Sequence, residues 1–280
     1  MHGAASGTLM SSSRTEASAR IPEWEAPTPE QFRADILPAG RPAVLRAVAR
    51  GWPTVAAALE DPHRCMALLA AHANDSRADV LRAKPEEQGR FHYASDGQSM
   101  NFIRGSGNLP GLLLALRDEE HADPPHAMAA QSMLADRFIP GFAEAHPMPF
   151  VPAAIEPRLW IGNAAKVATH NDPFHNIGVV AAGRRRFTLF PPEAEPNLYM
   201  GPKHPSPAGT PVSMVHVTAP DFDRFPLYAE AVESAQEAEL SPGDAIFIPR
   251  DWFHHVEALE RFNMLVNYWW DAGKEGEVHE

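Results

Sequence analysis

Two short polar clusters in the second half of the chain have the residue types needed for metal chemistry. His170-Asn171-Asp172 places an imidazole and a carboxylate two positions apart, and His254-His255 adds two imidazoles far downstream. Alternate side chains of an extended strand share one face, so His170 and Asp172 can reach the same ion. Two imidazoles and one carboxylate leave three adjacent coordination positions free, as in non-haem Fe(II) oxygenases. The clusters therefore predict a divalent-metal site.

The same residues also have a simpler interpretation. An H-x-D triplet is common by chance, and a single histidine is more often a surface or hydrogen-bonded core residue than a metal ligand. Only the surrounding sequence can distinguish a metal site from unrelated surface or core residues.

The composition narrows the possible classes of protein. The 280 residues carry a formal net charge of −12, which opposes nonspecific binding to nucleic acid or to anionic membranes. Cys65 is the only cysteine, so an intramolecular disulfide and a multi-cysteine zinc site are excluded. No apolar run is long enough to span a membrane, and the first residues do not resemble a secretion signal. We therefore expect a cytoplasmic protein without nucleic-acid or membrane partners.

Proline and the spacing of apolar runs predict a β-rich fold. Proline accounts for 28 of the 280 residues, against a usual share of about 5%, which disfavours a helical bundle. Beyond residue 158, short apolar runs separated by Gly, Pro, Asn and Asp predict the strands of a β-sandwich or jelly roll. The predicted strands are 158–162, 177–182, 186–190, 245–248, 256–259 and 264–270.

The sequence predicts that the chain is divided into four segments. Residues 1–20 form a mobile tail, and 21–157 form a mixed α/β region that packs on the core. Residues 158–272 form the β core, and 273–280 form a second tail. The predicted fold class is mainly β, with an α+β amino-terminal part.

Three consecutive arginines open one predicted strand. In an extended segment, Arg185 shares a face with Phe187 and Leu189, whereas Arg184 and Arg186 point the other way. A guanidinium among apolar side chains needs an anion. That anion is either an internal carboxylate of the protein or the carboxylate of a ligand, and the sequence leaves both possibilities open.

The motifs of residues 158–271 occur in the order found in one family. The segments that carry the likeness are Trp160-Ile161-Gly162, His170-x-Asp172, Asn176, the run 183–192, Asn197-Leu198-Tyr199, Pro242-Gly243-Asp244, Ile248-Pro249, the run 252–257 and Asn267-Tyr268-Trp269-Trp270. This part of the chain resembles the cupin-like JmjC-type oxygenases, the family of the asparaginyl hydroxylase that acts on hypoxia-inducible factor. The resemblance implies a double-stranded β-helix that uses Fe(II), 2-oxoglutarate and dioxygen.

The resemblance also implies roles for single residues. His170, Asp172 and His254 match the metal ligands of the family, and His255 is then a packing residue beside them. Arg185 matches the basic residue that binds the distal carboxylate of 2-oxoglutarate. A guanidinium can hold a carboxylate through two parallel hydrogen bonds, so it can replace the lysine common at this position.

Further matches concern the cosubstrate pocket. Asn176 and Asn267 match positions whose amides line it, although each can instead cap a turn. Val167 replaces a hydroxyl residue that the family often has there, and an upstream tyrosine is replaced near Met128. Two hydrogen bonds to 2-oxoglutarate are thus expected to be missing, and Thr169 can supply one only if the strand is shifted in register.

The stretch 191–226 is rich in proline and glycine and has little periodicity. Loops of this length are often functional lids. With Tyr199, Lys203, His204 and Asp221, it can cover the open side of the metal site and select the substrate, or it can simply wrap the surface.

Together these observations predict an Fe(II)- and 2-oxoglutarate-dependent dioxygenase that hydroxylates a protein or peptide side chain or a small molecule. Two alternatives stay open: a metal-binding cupin with non-oxidative activity, in which Arg185 is structural, and a catalytically silent binding module. Trp252, Trp269 and Trp270 are expected to be core or pocket-wall residues rather than a substrate cage. The sequence does not identify the substrate or the oligomeric state.

Overall fold

The computed structural model describes residues 19–97, 99–204 and 206–271. Strands are its main elements. They are β1 (Ala19–Arg20), β2 (Glu23–Glu25), β3 (Ala43–Arg46), β4 (Arg77–Ala83), β5 (Arg90–Phe91), β6 (Phe102–Asn108), β7 (Ala127–Leu134), β8 (Arg158–Gly162), β9 (Lys166–Asn171), β10 (His175–Ala182), β11 (Arg185–Phe190), β12 (Gln236–Leu240), β13 (Ala245–Ile248), β14 (Phe253–Ala258) and β15 (Asn263–Trp270).

The helices are short and lie mostly in the first half of the chain. The α-helices are α1 (Pro29–Gln31), α2 (Pro53–Glu60), α3 (Pro62–His72), α4 (Leu109–Asp118), α5 (Ala135–Phe138), α6 (Phe142–Ala145) and α7 (Tyr228–Glu233). A π-helix covers Phe32–Ile36, and 3-10 helices cover Leu37–Ala39, Pro85–Glu87 and Pro192–Asn197. Within the described ranges, no helix is long and apolar enough to cross a bilayer.

The strands form two sheets. The six-stranded sheet has the order β1-β12-β11-β14-β9-β5, and the nine-stranded sheet has the order β2-β3-β13-β10-β15-β8-β7-β4-β6. An apolar layer that includes Val44, Phe187, Leu240, Ile246 and Val256 lies between them, with members from both sheets. This arrangement confirms the predicted jelly-roll β-sandwich.

A second apolar layer lies between the helices and the other face of the nine-stranded sheet. Phe32, Leu69 and Leu113 from the helical region pack there with Val179 and Phe247 from the strands. Helix capping fixes where these helices begin. Thr28 and Gln31 form a capping box at the start of α1, and the Asp61 side chain caps α3.

Beyond residue 158 the predicted strand bounds agree closely with the structure, and two strands of that part, β9 and β12, are missing from the predicted set. Strands from before residue 158 extend the nine-stranded sheet on both sides of the core strands, so one sheet runs across the predicted division. Ala19 and Arg20, placed in the predicted tail, form β1 and pair with β12. The rest of that tail and the predicted tail 273–280 lie outside the described residues.

The segment 191–226 packs on the outer face of the six-stranded sheet. Leu198, Val215 and Phe225 share an apolar cluster with Phe190 of β11 and Phe253 of β14. This contact explains how a segment without strands of its own acquires a fixed position.

Ser213 fastens the segment to β9. Its buried hydroxyl donates to Leu198 O at 2.6 Å and accepts from Val215 N at 3.0 Å. Its backbone N donates to Thr169 O at 2.8 Å, and its carbonyl accepts from His92 Nε2 at 2.9 Å. Four hydrogen bonds therefore converge on one fully buried residue.

We expect Ser213→Ala to lower the free energy of unfolding by about 1–3 kcal/mol, because a buried carbonyl loses its donor and a buried amide its acceptor. Urea denaturation measures the change. Ser99→Ala is the matched control, since the exposed Ser99 hydroxyl bonds only to Asp96, and its effect should stay within about 0.5 kcal/mol. Equal losses in the two variants would contradict the role given to Ser213.

Candidate metal centre and adjoining cavity

Antiparallel pairing of β9 with β14 brings His170 directly opposite His254. The two ring centroids are 4.4 Å apart. Asp172 follows the end of β9, and its Oδ2 lies 3.7 Å from His254 Nε2. Ligand atoms of these three residues all lie within 4.8 Å of one another, the one such group among the described residues. His255 lies on the other face of β14 and does not belong to it.

Both imidazoles direct the same nitrogen toward the group. His170 Nδ1 lies 2.8 Å from Ala168 O, and His254 Nδ1 lies 3.2 Å from Trp252 O. A carbonyl only accepts, so in the neutral form of each ring Nδ1 carries the proton and Nε2 has the lone pair. Burial, followed by the neighbouring His170, lowers the pKa of His254 to about 4. The ring is therefore neutral near pH 7, as a metal ligand must be.

The carboxylate of Asp172 is held by an indole. Trp269 Nε1 donates to Asp172 Oδ2 at 3.1 Å. A hydrogen bond of this kind orients a ligating group. Trp269 is a wall of the adjoining cavity, whereas Trp252 and Trp270 belong to apolar clusters, so all three behave as the sequence predicts.

A cavity of ≈ 340 Å³ adjoins the three residues. The six-stranded sheet contributes His170, His254 and Arg185, and the nine-stranded sheet contributes Asn176 and Asn267. The predicted site residues therefore meet at one cavity, with the exception of Thr169.

Arg185 is a buried cation without a protein anion. It is 7% exposed, its Nε has no hydrogen-bond partner, and no described carboxylate forms an ion pair with it. Burial lowers the pKa of Arg185 to about 10, so the side chain stays charged near pH 7. Arg184 and Arg186 lie on the opposite face and pair with Glu239, which confirms the predicted orientation of the strand. The internal-carboxylate alternative finds no support among the described residues.

The two predicted amides contact each other. Asn267 Nδ2 donates to Asn176 Oδ1 at 2.8 Å, and both side chains are buried. Asn267 Oδ1 has no hydrogen-bond partner. Unpaired buried polar atoms are rare, and here one faces a cavity that already holds an unpaired cation.

Thr169 does not line the cavity, because β9 bulges beside it. The two-residue step from His254 to Val256 on β14 stands opposite a three-residue step from Val167 to His170 on β9. The bulge lets Val167 and His170 both reach the cavity, while Thr169 is fully buried and its Oγ1 is unpaired. The shift in register that Thr169 would need in order to contact 2-oxoglutarate is therefore present in β9. It nevertheless leaves the Thr169 side chain buried outside the cavity.

The upstream wall of the cavity comes from residues that the sequence analysis missed. Met128 lies in the apolar layer under the helices, not in the cavity. Arg104, Gln131 and Ser132 line the cavity instead. Ser132 has a φ of +54° in the irregular part of β7, a conformation uncommon for residues other than glycine. No sequence signal marks these three positions.

Only the tip of the segment 191–226 reaches the cavity. Pro207, Ala208 and Gly209 line it, whereas the predicted anchors Lys203 and His204 do not. Tyr199 and Asp221 likewise lie outside its lining. The segment is thus mostly a cover of the outer face, with a short contribution to the mouth of the cavity.

Comparison with known proteins is consistent with this geometry. A family profile described as a cupin-like domain matches residues 29–276. Lysine-specific demethylase JMJ31 of Arabidopsis thaliana is 36% identical over 115 residues, which cover 41% of this chain and 20% of that protein. HSPB1-associated protein 1 of Homo sapiens is 37% identical over 116 residues, which cover 41% and 23%. Jumonji C domain-containing protein 5 of Drosophila melanogaster is 27% identical over 274 residues, which cover 94% and 63%.

The matched part spans less than two thirds of the length of each of these relatives. The profile, in contrast, covers most of the described residues and includes both the helical region and the strands of the cavity. The chain belongs to the cupin-like domain family and is of the JmjC type.

Proposed function

We propose that the protein is an Fe(II)- and 2-oxoglutarate-dependent oxygenase. The observation that carries the proposal is the position of a buried, unpaired Arg185 at the cavity that adjoins His170, Asp172 and His254. A metal group alone would suit several cupin activities. A cation that needs an external anion beside that group favours a cosubstrate with a carboxylate.

The residues present fit these groups. Two imidazole nitrogens and one carboxylate are the donor set of the non-haem Fe(II) oxygenases, which leaves positions open for cosubstrate and dioxygen. Arg185 can hold the distal carboxylate of 2-oxoglutarate in a bidentate contact. The amide NH2 group of Asn176 can donate to an acceptor at the same cavity, whereas the free Oδ1 of Asn267 can only accept a hydrogen bond from a donor on a bound molecule.

When bound together, Fe(II), 2-oxoglutarate and dioxygen supply an oxidant able to hydroxylate a C–H bond, with release of succinate and carbon dioxide. His170 and His254 would hold the metal through Nε2, and Trp269 would keep the Asp172 carboxylate turned toward it. Phe187, Ile248 and Val256 line the same cavity and would keep water away from a bound cosubstrate.

A protein side chain is the proposed substrate. The name of the JMJ31 relative supports this class, since a lysine-specific demethylase acts on a lysine residue. Arg104 and Gln131 give part of the cavity lining polar side chains, and Gly209 lines it without a side chain, at a φ of +77°. These residues, with the tip of the segment 191–226, are the proposed determinants of substrate choice.

Metal binding is expected to depend on His170, Asp172 and His254. His170→Ala or Asp172→Ala should remove most of the affinity for Mn(II), a redox-stable probe, measured by isothermal titration calorimetry. His255→Ala is the matched control and should retain binding, because its ring lies on the other face of β14. If His255→Ala lost Mn(II) binding and His254→Ala retained it, the metal ligand would be His255 and the assignment of His254 would be wrong.

Replacing Arg185 is expected to weaken the binding of 2-oxoglutarate and, at the same time, to stabilise the ligand-free protein. Arg185→Met should weaken 2-oxoglutarate binding about 30- to 150-fold, which corresponds to the loss of about 2–3 kcal/mol. It should also raise the free energy of unfolding of the ligand-free protein by about 1–3 kcal/mol, because a buried unpaired charge is removed.

Calorimetry and urea denaturation measure the two effects. Arg186→Met is the matched control, since its guanidinium is outside the cavity and pairs with Glu239 and Glu257. A destabilised Arg185→Met variant that still binds 2-oxoglutarate normally would make Arg185 a structural residue and favour the non-oxidative cupin.

Succinate formation tests the function directly. The wild-type protein with Fe(II), ascorbate, oxygen and 2-oxoglutarate should release succinate slowly even without substrate, and NMR detects it. His170→Ala should reduce the rate to the background of free iron. Metal binding without any succinate would overturn the oxygenase proposal.

A further inference from the structure

A second group of imidazoles lies on the face of β14 opposite the metal group. His255 of β14, His92 after β5 and His216 of the segment 191–226 surround a cavity of ≈ 20 Å³. Arg90 and Lys166 line it as well. We call this space the back cavity; neither the metal chemistry nor the cosubstrate uses it.

The charges around the back cavity are all positive. None of the described carboxylates lines it. Lys166 has no ion pair among the described residues, and the Arg90 guanidinium donates only to the backbone carbonyl of Glu87. Burial, followed by the neighbouring His92, Arg90, Arg224 and Lys166, lowers the pKa of His216 to about 4. A chain with a net charge of −12 thus keeps an acid-free basic cavity.

His255 adds a buried donor. It is 5% exposed, and neither of its ring nitrogens makes a hydrogen bond of normal geometry, although the backbone of Val167 interacts weakly with the ring. A neutral imidazole always carries one N–H, and leaving it unpaired when buried costs about 1–3 kcal/mol. His92 does not share this deficit, because its Nε2 donates to Ser213 O.

We propose that the back cavity binds one compact inorganic anion, in the size range from a halide to phosphate. Its ligands would be the cationic groups of Arg90 and Lys166 and the N–H groups of His216 and His255. The volume exceeds the roughly 10–15 Å³ that one water needs, so it suits a compact anion better than an extended organic one. Positive side chains, a buried N–H without a hydrogen bond of normal geometry and the absence of lining acids all favour the same class of ligand.

The anion would act as a bridge. Arg90 and Lys166 belong to paired strands, β5 and β9, and His216 belongs to the segment that Ser213 fastens to β9. A shared anion would therefore add a link between the segment 191–226 and the paired strands β5 and β9, beside the hydrogen bonds of Ser213 and of the Tyr93 hydroxyl. The proposal does not depend on the oxygenase activity.

Thermal unfolding tests the proposal with metal-free protein and without 2-oxoglutarate. Sodium bromide and sodium phosphate are titrated separately against sodium gluconate at constant ionic strength, because gluconate is too large for the cavity. At least one anion should raise the melting temperature in a saturable way, as expected for binding to the folded state only. Comparison of the two titrations shows which anion size fits.

Two variants and one direct observation complete the test. Lys166→Met and Arg90→Met should each abolish the saturable rise, and Lys203→Met, an exposed lysine outside the cavity, should keep it. Crystals soaked in bromide should give an anomalous peak between Lys166 and His255. A wild-type protein without saturable stabilisation by either anion, or with bromide only at other places, would overturn the proposal.

Discussion

The hydrogen-bonded ladder between β9 and β14 determines where every other group of the site can lie. It places His170 opposite His254, and the bulge in β9 turns Val167 inward beside them. On its other edge β14 pairs with β11, where Leu189 stands opposite His254 and Arg185 opposite Ala258. Because side chains alternate along a strand, a slip of one residue in this ladder would turn an imidazole to the back cavity. The metal group and the cation thus depend on one register.

The two faces of the six-stranded sheet carry positive charge in different environments. Inside, Arg185 keeps its charge in an apolar environment and no described carboxylate compensates it. Such a residue weakens the ligand-free fold, which is typical of groups retained for binding. Behind the sheet, Arg90, Lys166 and His216 are only partly buried. The backbone carbonyl of Ser213 accepts a hydrogen bond from His92 beside them.

Local patterns predicted the parts of the site that lie on regular strands. The H-x-D pair and the alternation around Arg185 identified inward-facing groups before any tertiary information. Arg104, Gln131 and the back cavity depend on contacts between distant strands, so no local pattern indicates them. Gly162 illustrates the point, since a Cβ there would lie 2.4 Å from Met128 O, and the close approach of β7 to β8 needs a glycine. The cytoplasmic location and the absence of nucleic-acid partners stay predictions.

The order of strands in the nine-stranded sheet has a consequence for biosynthesis. β15, the last strand among the described residues, lies between β10 and β8 near the middle of that sheet. Until β15 has left the ribosome, no strand can join β2-β3-β13-β10 to β8-β7-β4-β6, and the edges of β10 and β8 that face β15 lack their partner. Unpaired edges of this kind invite association with other chains. Asn267 and Trp269, which β15 also carries, therefore join the cavity only in the final step that closes the sheet.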